Sequence, residues 1–134
     1  MKSGFTVLHV EDEPEDRILL ADAFRRVVPD LTLRSVQDGE EAINRLSSPE
    51  PPPDLVLLDL KLPRRSGFEV LEWIRGSPRH KDLPVIVLTS SGEPRDIAQA
   101  YAMGATSYLV KSLSLQETRE RVKALGAYAA LLSK

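Results

Sequence analysis

The chain has 134 residues, of which 42% are hydrophobic and 28% charged, the composition of one folded domain rather than of a disordered segment. A net charge of −2 gives no general attraction to nucleic acid or an anionic membrane, and the absence of cysteine excludes disulfides and thiolate metal sites. No apolar run approaches the roughly 20 residues that cross a bilayer. The start, MKSGFTVLHV, carries one lysine and a short apolar run, so it reads as a first strand rather than a signal peptide, and the chain as cytoplasmic.

In chain order, FTVLHV (5–10) predicts a buried strand. PEDRILLADAFRRVV (14–28) has Ile18 with Ala21, and Leu20, Phe24 and Val28, at helical spacing, with Pro14 at the start, where proline is tolerated. LTLRSV (31–36) predicts a strand, and GEEAINRLS (39–47) a short helix with Ala42, Ile43 and Leu46 on one face. SSPEPPPD (47–54) has four prolines and must be a loop. LVLLD (55–59) is apolar until its last residue and too short for a helix, as expected of a strand buried on both faces of a parallel sheet. SGFEVLEWIRGS (66–77) opens with Ser66 and Glu69 at capping-box spacing and ends at Gly76. LPVIVLTS (83–90) predicts a further buried strand, PRDIAQAYAMGA (94–105) a helix closed by Gly104, and SYLVK (107–111) a fifth strand. SLQETRERVKALGAYAALLS (114–133) is a last helix with a second capping-box pair, Ser114 and Glu117, and an interruption at Gly126. Five strand–helix units in alternation imply a parallel sheet covered by helices on both sides.

Ligands of such sheets bind beyond the carboxyl ends of the strands. There the sequence places Glu11 and Asp12, Asp59, Thr89 and Ser90, and Lys111. Three carboxylates gathered in a partly dry site repel one another, and a divalent cation relieves this. Oxygen-only ligands favour Mg²⁺, which keeps several waters and often bridges to phosphate. A carboxylate beside such an ion, a lysine and a hydroxyl is a nucleophile suited to phosphoryl transfer, with Lys111 and Thr89 placed to stabilise the transferred group. The remaining acids of EDEPED, Glu13, Glu15 and Asp16, read as a helix start that favours the helix dipole. His9 reads as a core or sheet-edge residue, and the basic loops PRRSG (63–67) and SPRHKD (77–82) as solvated.

The pieces VLHVEDE, DLVLLDLKLPRRSGFEVLEWIR, LPVIVLTSSG and AYAMGATSYLVKS, in this order and spacing, resemble the receiver domain of two-component response regulators over nearly the whole chain. The resemblance implies a flavodoxin-like α/β three-layer sandwich with a five-stranded sheet of order 2-1-3-4-5 and five helices. It implies that Asp59 accepts a phosphoryl group from a phosphohistidine of a sensor histidine kinase. Glu11 and Asp12 then stand at the acidic metal pair, Lys61 supplies a backbone carbonyl to the metal, Thr89 is the switch hydroxyl, Ser90 the small residue after it, Tyr108 the switch aromatic, and Lys111 the active-site lysine. Kinase contact is expected around Ile18, Leu19 and Ser112–Ser114. Dimerisation is expected on the side of the fourth helix, fifth strand and fifth helix, and Tyr128, Leu131 and Leu132 form a second candidate patch.

The sequence departs from the family pattern in two places. Many receivers have Lys-Pro with a cis peptide where this chain has Lys111-Ser112, and Glu11 replaces the more common aspartate. The Lys-Ser ending, LLDLKLP and VLTSS resemble a subgroup of single-domain regulators, some of them partners of bacterial phytochromes. Residues 1–134 are expected to be one receiver domain without an output domain, signalling by protein contact or phosphorelay. Three other readings compete. A haloacid-dehalogenase-like phosphatase needs a second Asp where Lys61 stands. A flavodoxin-like FMN carrier needs a phosphate-receiving loop where EDEPED stands. A non-phosphorylated pseudo-receiver, a pure binding module, normally lacks the Asp or the Lys.

Overall fold

The computed structural model describes residues 4–132, with the side chain of Leu132 outside the described set. Five strands alternate with five helices: β1 (Phe5–Val10), α1 (Pro14–Val27), β2 (Leu31–Val36), α2 (Gly39–Ser47), β3 (Leu55–Leu58), α3 (Gly67–Gly76), β4 (Val85–Thr89), α4 (Pro94–Ala102), β5 (Ser107–Val110) and α5 (Leu115–Leu132). All strand pairs are parallel, and the sheet order is β2-β1-β3-β4-β5, the flavodoxin-like order implied by the resemblance.

Side chains alternate across the central strands. Leu8, Val10, Val56 and Leu58 enter one apolar cluster with Ala42 and Leu46 of α2 and Val70, Leu71 and Ile74 of α3. Phe5, Val7, Leu55 and Leu57 face the other way, onto Leu20, Ala23 and Phe24 of α1 and Val122 and Ala129 of α5. A smaller cluster of Leu60, Val87 and Ala100 carries Phe68 and Tyr108 at its margin. Both faces are therefore filled, and burying these apolar runs supplies most of the stability.

Local signals explain most element ends. Ser66 and Glu69 form a reciprocal capping box at the start of α3, and Asp38 accepts from the Glu41 amide to cap α2. Gly104 follows α4 with φ +101, a conformation suited to glycine. The second capping box is only half realised. Ser114 Oγ accepts from the Glu117 amide, but the Ser114 amide donates to Ser112 Oγ and Glu117 pairs with Arg121. On α1, Leu20 and Phe24 are buried, whereas Ile18 and Ala21 face solvent. α5 runs through Gly126 without the expected interruption; a Cβ there would stand 2.6 Å from Val28 Cγ1, so glycine lets α5 pack closely on the residue after α1.

Candidate functional site

The strand ladders run one residue past the strands proper. Glu11 N donates to Val36 O (3.0 Å), Asp59 N to Val10 O (3.2 Å) and Lys111 N to Thr89 O (2.8 Å). Parallel registry thus fixes the backbones of Glu11, Asp59 and Lys111 at one edge of the sheet. Gly67 seals the geometry from the helix side: its amide donates to Leu60 O, and a Cβ there would collide with the Asp59 carbonyl oxygen.

Lys111 is the centre of the cluster. Its Nζ lies 2.8 Å from Glu11 Oε1, 2.8 Å from Asp16 Oδ2 and 3.0 Å from Asp59 Oδ2. Burial would lower its pKa, but the bonds to Asp16, Glu11 and Asp59 outweigh that and raise it, so the side chain stays charged. Glu11 is fully buried, and burial, with Asp59 acting in the same sense, pushes its carboxyl up to about 7 against the pull of Lys111. Asp59, 5% exposed, also accepts from the Lys61 amide at Oδ1 (3.2 Å). Glu11, Asp12 and Asp59 each offer an oxygen, all within 4.8 Å of one another. Three hard oxygen donors at this spacing, in a dry setting that disfavours their shared charge, fit a divalent cation of the Mg²⁺, Mn²⁺ or Ca²⁺ kind.

The hydroxyl of Thr89 is buried and has no hydrogen-bond partner among the described residues. Its neighbour Ser90 is exposed and lines an open cleft with Asp12, Leu19, Asp59, Lys61, Lys111, Ser112 and Leu113. Tyr108 is half-buried, and its hydroxyl donates to the Ser91 carbonyl (2.7 Å), while Ser91 Oγ donates to Asp96 of α4 (2.6 Å). Burial raises the Tyr108 pKa, partly offset by that bond.

The structure thus gathers Glu11, Asp12, Asp59, Thr89, Ser90 and Lys111 at one end of the sheet, with Lys61 and Tyr108 flanking. Ile18 is 69% exposed, and Leu19 and Ser112 are half-buried. No peptide bond among the described residues is cis, so Lys111–Ser112 is trans. His9 is buried, as expected for a core residue, and burial, with the Lys111 charge, lowers its pKa to about 4. The SPRHKD loop is not simply solvated. His80 is buried against Trp73, and Arg79 donates to the Ser48 and Glu50 carbonyls.

One residue was missed in the sequence. Asp16 reads as a helix-start acid yet reaches Lys111. Helical phase carries the signal, since Asp16 lies four residues before Leu20 and eight before Phe24, on the inward face. Leu113, inside the expected Ser112–Ser114 stretch, is fully exposed.

Residues 7–123 match the response regulator receiver domain, and the chain belongs to that family: it is a receiver, a phosphoacceptor module of two-component signalling. Among its relatives is the protein named "Probable methanogenesis regulatory protein FilR2" of Methanothrix harundinacea, 36% identical over 92% of this chain and 83% of that protein. Response regulator Rcp1 of Synechocystis is 33% identical over 91% of this chain and 86% of its own length. The crystal structure of its Mn²⁺-bound form superposes with a TM-score of 0.83 at 32% identity, covering 92% of this chain and 93% of that one. The phosphorylated cyanobacterial phytochrome response regulator RcpA superposes with a TM-score of 0.85 at 32% identity, covering 93% of each chain.

Proposed function

We propose that Asp59 is the phosphoacceptor, and the observation that carries this is the Lys111 ammonium 3.0 Å from Asp59 Oδ2 beside two further carboxylates. An Asp59 carboxylate oxygen attacks the phosphorus of a phosphohistidine. The P–N bond breaks, and the imidazole nitrogen keeps the electron pair. Lys111 faces the charge that accumulates on the phosphoryl oxygens, and the Thr89 hydroxyl, unpartnered at present, supplies a further donor. Asp12, Asp59, Glu11 and the Lys61 carbonyl would hold Mg²⁺. When bound, this ion neutralises carboxylate and phosphoryl charge; the Mn²⁺-bound form of Rcp1 supports that assignment.

The new dianion draws Thr89 toward it, and Tyr108, tied to Ser91 and through it to Asp96, passes the change to α4. We assign the kinase contact to Ile18, Leu19 and Ser112–Ser114, since Leu19, Ser112 and Leu113 line the cleft that holds Asp59 and Ile18, next to Leu19 in the chain, is exposed. A phytochrome-type kinase is the proposed donor, supported by the likeness to RcpA. The α4–β5–α5 side, where Tyr101 and Val110 are exposed, is the proposed dimer face, and Val110→Asp should abolish any dimer seen by sedimentation.

The test of the central reading is intact mass after incubation with acetyl phosphate. A gain of one phosphoryl group that needs Mg²⁺ and disappears in Asp59→Asn is expected. No gain, together with no binding of beryllofluoride, would make the chain a binding module.

A further inference from the structure

We propose that Asp16 is a positioning residue for Lys111, holding its ammonium at the mouth of the site while Glu11 and Asp59 turn to other partners. The inference rests on the reading of Asp59 as phosphoacceptor. Lys111 faces three carboxylates: its Nζ donates hydrogen bonds to Asp16 Oδ2 (2.8 Å) and Asp59 Oδ2 (3.0 Å) and forms an ion pair with Glu11 Oε1 at 2.8 Å. Two of the three belong to the carboxylate cluster with Asp12. Any cation held there draws on their oxygens, and phosphorylation converts one Asp59 oxygen into an acyl phosphate link. Asp16 lies outside that cluster, so its bond to Lys111 is the one that neither event claims.

The placement is firm. Asp16 sits in the first turn of α1, and the next residue, Arg17, donates to the Glu11 carbonyl oxygen (2.8 Å), which ties that turn to the end of β1. The competing account is the helix dipole, which any acid in the first turn serves. Glu15 is such an acid, is exposed, and points to the right control.

The experiment compares wild type with Asp16→Ala, the near-isosteric Asp16→Asn and Glu15→Ala, each checked for fold by circular dichroism. The first readout is the NMR signal of the Lys111 ammonium in metal-free, ¹⁵N-labelled protein, assigned by its loss in Lys111→Arg. A restrained ammonium exchanges slowly and gives a cross-peak. Asp16→Ala should lose or shift it, Asp16→Asn should weaken it, and Glu15→Ala should leave it in place. The second readout is the rate of phosphorylation by acetyl phosphate at saturating Mg²⁺. It should fall about fivefold in Asp16→Ala, the scale of one partly exposed charge pair, and stay within about twofold in Glu15→Ala. An unchanged Lys111 signal, an unchanged or faster rate in Asp16→Ala, or an equal loss in Glu15→Ala would overturn the proposal. If wild type takes up no phosphoryl group, the Asp59 reading falls, and the NMR comparison still decides whether Asp16 holds Lys111.

Discussion

His80 shows how one side chain links local packing to pH. It is 3% exposed, stacks on Trp73 with ring centroids 5.6 Å apart, and pairs through Nδ1 with Ser77 Oγ (3.0 Å). Burial, helped by the Arg79 charge, holds its pKa below 6.5. Between that lowered value and 6.5 the unfolded chain binds more protons, so stability falls as pH falls, and the contribution is complete above 6.5. His9, held at about 4, adds to the same slope. The share of the metal-free protein's urea midpoint that comes from these two histidines should therefore drop between about pH 7.5 and about pH 5.5, against the opposite share of Glu11, whose raised pKa stabilises the fold as pH falls. His80→Asn should flatten that drop in part and leave the share of His9. Trp73 is the only tryptophan, so its fluorescence reports on the same ring and should quench as His80 is protonated.

Between elements, two glycines set how closely neighbours approach. Gly126→Ala gains helix propensity of about 1 kcal/mol, but its Cβ would meet Val28 Cγ1 at 2.6 Å, where the branched methyl has little room to give. The expected net is a loss of about 1 kcal/mol by urea denaturation. Adding Val28→Ala should recover the propensity gain, read as a positive coupling in a double-mutant cycle. Gly67→Ala is harsher, because the obstacle is the Asp59 carbonyl oxygen of the backbone. Backbone cannot rotate aside, so a loss of about 2–4 kcal/mol is expected together with slower phosphorylation by acetyl phosphate, measured by intact mass.

These contacts also mark the limit of what the sequence conveys. Apolar β3 and β4 and the strand-end residues were legible because burial on both faces and the ends of parallel strands leave a pattern in the chain itself. The role of Gly126 was not, since its reason is a methyl group of Val28 nearly a hundred residues away. Asp16 was half legible: its helical phase was written in the sequence, but its partner Lys111 lies 95 residues on.

For the whole molecule, the cluster of Glu11, Asp12 and Asp59 sets stability against activity. Close carboxylates repel, so in chelator Asp12→Asn should melt higher than wild type, by about 0.5–1 kcal/mol. Mg²⁺ at about a hundredfold its Kd should stabilise wild type by about 2.7 kcal/mol and leave Asp12→Asn nearly unmoved, so the two melting curves exchange order. Parallel shifts in both proteins would remove Asp12 from the metal site.

The placement of α5 over α1 has a consequence for how the chain comes into being. Leu20 and Phe24 are covered in part by Val122 and Ala129, which leave the ribosome only about a hundred residues later. At about 5–20 residues per second, the nascent chain shows that greasy strip for roughly 5 to 20 s before its own last helix can hide it. During that interval it is open to chaperones and to neighbouring nascent chains, so ribosome profiling with chaperone pull-down should find occupancy that begins after α1 emerges and ends only when α5 is out.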